Sequence, residues 1–94
     1  MNRLDDSDIQ QQLSGVPDWH AGERSEIVRD LAFADFAAAI AFVNRVAEVA
    51  EAANHHPDIL VHGWNKVRLT LSTHSEGGLT EADFRLAAQI DGLA

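Results

Sequence analysis

From residue 36 to residue 54 the chain is rich in alanine and contains neither glycine nor proline. A run of that length and composition is a strong helix former, and it constrains everything else the chain can build. Asp35 immediately before it is a residue type that caps helix N-termini. Phe36, Ile40, Val43, Ala47 and Ala50 recur at helical spacing, while Asn44, Glu48 and Glu51 lie largely off that stripe. Pro57 disfavours helical geometry at the residue before it, so the helix should end near His56. A helix with an apolar stripe needs a partner surface, and a chain of 94 residues has room for one domain, 1–94, to provide it.

The flanking segments supply that surface as strands. Over residues 65–74, Val67, Leu69 and Leu71 alternate with Lys66, Arg68, Thr70, Ser72 and His74, the period of a half-buried strand. Residues 25–33 alternate as well, with Ile27, Leu31 and Phe33 on one face and Arg29 the exception among them. A short strand at Trp19 and a turn at 21–24 make a hairpin with it. Residues 58–63 read as a further strand. Asp5, with Asp8 and the pair Leu4 and Ile9, starts a short first helix that Gly15 and Pro17 stop. Thr80 and Asp83 form the capping box of a last helix, with Leu79 and Phe84 as its staple. The order is α-β-β-α-β-β-α. It predicts a two-layer α+β fold, a four-stranded antiparallel sheet with three helices on one face.

Charge and composition remove several function classes. A net charge of −8 argues against nucleic-acid backbones and anionic membranes as partners. No apolar run is long enough to cross a bilayer, and the acidic, polar start is not that of a signal peptide, so a cytoplasmic location is expected. Without cysteine there is no disulfide, thiolate metal site or thiol nucleophile. Neither a nucleophile elbow nor a phosphate loop is present.

Five histidines in so short a chain are the remaining chemical resource. Glu51, His55, His56 and Pro57 gather at the end of the long helix. Glu51 and His55 stand four apart, so a carboxylate there can orient an imidazole, and the helix C-terminus favours a cation. His74 closes the clearest strand and could meet the helix end across a groove. Plainer roles exist for each: a helix cap for His55, a turn for His56, a strand end for His74, a solvated charge for Glu51, a capping acid for Asp83, and core for Trp64. His20 and His62 read as structural or surface residues. A metal site is disfavoured, because adjacent histidines on a helix diverge and no third ligand follows at convincing spacing.

The pattern Glu-x-x-x-His-His-Pro at Glu51 to Pro57 resembles the signature of the pterin-4a-carbinolamine dehydratases. The resemblance continues through Trp64-Asn65-Lys66-Val67, Leu71-Ser72-Thr73-His74 and Gly78-Leu79-Thr80 with Asp83, and it takes in Pro17 and Trp19, so it covers nearly the whole chain. Six residues separate Pro57 from the aromatic where the commonest pattern has five and a tyrosine; the extra one is read as a bulge or turn at Gly63.

The resemblance implies an antiparallel four-stranded sheet with helices on one side, assembled as a homodimer or homotetramer. It implies removal of water from 4a-hydroxytetrahydropterin, the species left after an aromatic amino acid hydroxylase turns over, with no cofactor. The catalytic residues implied are His55, His56, His74 and Asp83. Glu51, His56, Pro57, Trp64, Ser72 and Thr73 are implied for substrate binding. In that scheme His55 and His74 are the acid-base pair, His56 holds the ring, Glu51 positions His55, and Asp83 hydrogen-bonds His74. An imidazole's ordinary pKa of about 6.5 suits it to both halves of such work near neutrality. Two binding roles compete: a dimerisation cofactor that holds a helix of a transcription factor against the alanine-rich helix, and an assembly chaperone that would be expected to have lost the histidines.

Overall fold

A computed structural model describes residues 2–94. The elements follow as α1 (Asp6–Leu13), β1 (His20–Ala21), β2 (Ile27–Ala32), α2 (Phe36–Ala53), β3 (Asp58–His62), β4 (Lys66–Leu71) and α3 (Glu81–Asp91), with a short 3₁₀ turn at His74–Glu76. The α-β-β-α-β-β-α order is therefore observed. The four strands form one antiparallel sheet in the order β1-β2-β4-β3, and the three helices lie on one face of it.

Register decides which side chains reach the helices. Ile27 opposes Leu71, Arg29 opposes Leu69 and Leu31 opposes Val67. Of these, Ile27, Val67, Leu69 and Leu71 are completely buried. They meet Ala39, Phe42, Val46 and Ala50 of α2 and Phe84, Leu86, Ala87 and Ile90 of α3 in one core. The opposite rungs, Asp30 against Arg68 and Ala32 against Lys66, face away from the helices.

The buried side of α2 is rotated from the stripe read in the sequence. Ala39, Phe42, Val46 and Ala50 are buried, whereas Phe36 is 54% exposed and Ala47 is exposed. The helix is apolar around most of its girth, so periodicity fits two stripes, and packing against β2 and β4 selects one.

The N-terminal cap anticipated for α1 forms from Asp5, without a reciprocal bond from Asp8, and the one anticipated for α3 forms in full. The Asp8 N–H donates to Asp5 Oδ1 at 2.8 Å. Thr80 and Asp83 close a capping box at α3. The Asp35 carboxylate likewise accepts from Ala38 N–H at the start of α2.

Around β4 the structure departs from the sequence pattern in two places. The strand expected over 65–74 ends at Leu71; Thr73 then bridges to Gly78 and the chain turns at His74. Trp64 is not core. It sits 62% exposed at the β3–β4 hairpin, where Gly63 (φ 55°) and Trp64 (φ 60°) are consecutive left-handed residues. The extra residue at Gly63 is thus a turn residue that accepts positive φ without steric cost. Asn65 fastens this loop, its side-chain amide donating to Phe33 O at 2.9 Å and its carbonyl accepting from Phe33 N–H at 2.8 Å.

Arg29, the exception on the apolar face of β2, has a partner that sequence reading missed. Its guanidinium donates to Asp91 Oδ1 at 2.5 Å, and the buried Trp19 indole donates to the same oxygen at 2.8 Å. A cation on an inward rung requires a carboxylate among its neighbours, but sequence does not say which one. Among the described residues no helix is long and apolar enough to cross a membrane.

Candidate active site

The site begins with the way α2 stops. Asn54 adopts the left-handed conformation (φ 50°, ψ 42°), and its N–H returns to Ala50 and Glu51 carbonyls. The His55 N–H then bonds Ala50 O at 3.1 Å. This αL termination turns the chain sharply, so His55 no longer continues the helical face that carries Glu51.

The expected Glu51–His55 pairing is accordingly not formed. Glu51 instead pairs with His56 through Oε2 and Nε2, at the exposed rim. His55 turns inward, and its Nε2 lies 2.5 Å from Asp83 Oδ1. Asp83 was expected to engage His74; it engages His55 because the first turn of α3 packs beneath the end of α2. His74 leads the 3₁₀ turn and is exposed.

Asp83 is completely buried, yet its carboxylate is well supplied with donors. Oδ2 accepts from the Thr80 N–H at 2.9 Å and the Thr73 hydroxyl at 2.8 Å, while Oδ1 faces His55. A carboxylate out of contact with water is tolerable only when its lone pairs are satisfied in this way. The capping acid and the acid that orients the histidine are the same residue.

The other anticipated residues divide into two groups. Thr73, His74, Asp83, His55, His56, Glu51 and Pro57 belong to one neighbourhood, linked by the Thr73–Asp83–His55 hydrogen bonds and by adjacency in the chain. Ser72 adjoins them, its hydroxyl spent on Ser25 O at 3.0 Å. Trp64 lies at the other end of β3, about 15 Å away at roughly 3.3 Å per strand residue, so this chain's own fold does not bring it to the histidines. Two residues that sequence reading passed over join the site. Thr80 contributes its backbone N–H and its hydroxyl, which lies 2.8 Å from that of Thr73. Arg85 shares with His55 a concavity of about 230 Å³ that Ala53, Ala82, Leu86 and Gln89 complete.

Comparison with known proteins decides the family. A family model described as pterin 4 alpha carbinolamine dehydratase matches residues 2–93. The chain belongs to the pterin 4 alpha carbinolamine dehydratase family. A relative in Chloroflexus aurantiacus, named for pterin-4-alpha-carbinolamine dehydratase, is 57% identical over 99% of this chain and 98% of its own. A namesake in Acidobacterium capsulatum is 53% identical over 99% of both chains. The crystal structure of a transcriptional coactivator/pterin dehydratase from Brucella melitensis superposes with a TM-score of 0.92 at 36% identity, covering 99% of each chain. A pterin dehydratase-like protein identified as a RuBisCO assembly factor in the alpha-carboxysome is 31% identical, with a TM-score of 0.68 over 81% of this chain and 88% of that one.

Proposed function

We propose that this dehydratase removes water from 4a-hydroxytetrahydropterin to give quinonoid dihydropterin. In that step the bond from carbon 4a to the hydroxyl oxygen breaks as the oxygen receives a proton. The neighbouring ring nitrogen loses its proton, and its electron pair forms the new carbon–nitrogen double bond. One proton is delivered and one removed, so histidines alone suffice and no cofactor is invoked.

The observation that carries the reading is the His55–Asp83 pair. A buried, fully hydrogen-bonded carboxylate holding an imidazole is the arrangement that fixes a general acid-base group in one orientation. His55 and His74 act as the proton-transfer pair. His56, held by Glu51, binds the ring at the rim, with Pro57, Ser72 and Thr73 shaping its surroundings. Trp64, given its position, contributes to the hairpin rather than to the ring pocket of its own subunit.

The enzyme works in the cytoplasm as a homodimer or homotetramer, downstream of an aromatic amino acid hydroxylase that makes its substrate. The exposed side of α2 around Phe36 and the unpaired edge of β3, with Ile59 and Leu60 exposed, support self-association. Two structural relatives, one described as a transcriptional coactivator and the other as a RuBisCO assembly factor, support a second reading, in which α2 holds another protein. The intact His55–Asp83 pair favours dehydration.

A rapid ultraviolet assay of carbinolamine dehydration tests the proposal. Purified protein should accelerate the reaction over its spontaneous rate, and His74→Ala should lose about 10²-fold or more of that acceleration while keeping its fold. Folded wild-type protein without any acceleration would refute the dehydratase reading and leave the binding one.

A further inference from the structure

The hydroxyls of Thr80 and Thr73 form a chain whose direction follows from counting protons. Thr80 Oγ1 accepts from the Ala82 N–H at 3.3 Å and from the Asp83 backbone in the capping box. A hydroxyl has two lone pairs and one proton, so with both lone pairs taken Thr80 has its proton left to give. Its available acceptor is Thr73 Oγ1, 2.8 Å away. Thr73 then gives its own proton to Asp83 Oδ2 at 2.8 Å. With the Thr80 N–H also on Oδ2, that oxygen is saturated by donors, and Oδ1 is left to face His55 Nε2. A carboxylate that only accepts requires a donor from the imidazole, so Nε2 carries a proton. None of the described hydrogen bonds uses His55 Nδ1.

We infer that the Thr80–Thr73–Asp83 chain is a positioning device that holds neutral His55 as its Nε2–H tautomer, so that proton exchange with the substrate occurs at Nδ1. Thr73 is on this account a positioning residue that acts through Asp83. The helix cap of α3 and the tautomer of the active-site histidine are one hydrogen-bond network, so the first turn of α3 cannot loosen without releasing His55.

Removing the Thr73 hydroxyl leaves the Asp83 charge less compensated and strengthens its hold on the imidazolium. The other titratable groups around His55 are Glu51 and His56 in its own segment, Arg85 on α3 and His74 beside Thr73. None of these is altered by Thr73→Val.

Nitrogen-15 NMR of the histidine rings in the intact protein tests the tautomer without any variant or substrate. Above its titration midpoint, His55 should show the proton on Nε2; a proton on Nδ1 overturns the inference. In Thr73→Val the His55 Nε2–H proton signal should move downfield, since the carboxylate that accepts it has lost another donor and holds it more tightly. Thr73→Ser should restore the wild-type signal. An unchanged signal in folded Thr73→Val overturns the positioning role. The rate arm rests on the dehydratase reading: Thr73→Val should lower dehydration at neutral pH about tenfold, with recovery in Thr73→Ser. An inactive wild type would refute that reading and leave the NMR result to judge the hydroxyl chain.

Discussion

At the residue scale the decisive group is Asp83. Its Oδ2 receives two donors and its Oδ1 a third, from the segment after β4, the N-cap of α3 and the end of α2. Asp83→Asn keeps the shape but replaces one acceptor with a donor, which must then confront either the imidazole N–H or the Thr73 and Thr80 donors. A buried donor facing a donor costs about 1–3 kcal/mol, so the denaturation midpoint should fall. Dehydration should fall by about 10²-fold or more because His55 loses its orientation. Stopped-flow dehydration and chemical denaturation of the same preparation check both effects. Full activity in Asp83→Asn would remove the pair from the mechanism.

Among the elements, the end of α2 and the β2–β4 ladder each carry a prediction. Asn54 is left-handed, and this turns His55 inward. Asparagine tolerates that conformation better than most residues. Asn54→Ala should cost about 1 kcal/mol, while Asn54→Gly should be close to neutral, as read by thermal melts. On the sheet's outer face Asp30 and Arg68 are directly opposed, with Arg68 Nε 2.7 Å from Asp30 Oδ1. The hydrogen bond from Arg68 is the main reason the Asp30 carboxyl is held below its ordinary value of 3.8. A carboxyl lowered in the folded state stabilises above its unfolded range, and that contribution disappears as acid protonates it. The melting-temperature difference between wild type and Asp30→Asn should therefore shrink from neutrality into acid. Because both side chains are about half exposed, salt should reduce it as well. A difference that grows in acid would contradict the assignment.

On the scale of the whole molecule, the three-way contact of Arg29, Asp91 and Trp19 ties β2 and the segment before β1 to the last turn of α3. α2 has a buried stripe and a second apolar side, and Phe36 on it is 54% exposed. Sedimentation should find the wild type as a dimer or tetramer, and Phe36→Glu should shift it toward smaller species if α2 is an interface. A wild-type monomer at micromolar concentration would remove self-association from the proposal.

How much was legible in the sequence depends on the range of the interaction. The helices, their caps at Asp5, Asp35 and Thr80, the alternation of β4 and the antiparallel order are local patterns of propensity and periodicity, and all appear in the fold. The motifs that carry the family resemblance named His55, His56, His74 and Asp83 together, and of these the structure joins His55 to Asp83. Their partners were not legible. Helical spacing assigned Glu51 to His55, but one left-handed residue at Asn54 reassigned it to His56. Propensity could not choose between two apolar stripes on α2, nor place Trp64 at an exposed turn, nor match Arg29 to Asp91 across 62 residues. Such choices depend on which surfaces meet when the layers close, and on the demand that every buried charge and hydroxyl find a partner there. The sequence by itself determined the elements and the chemical inventory; only the tertiary structure decided that the capping acid of α3 would hold His55.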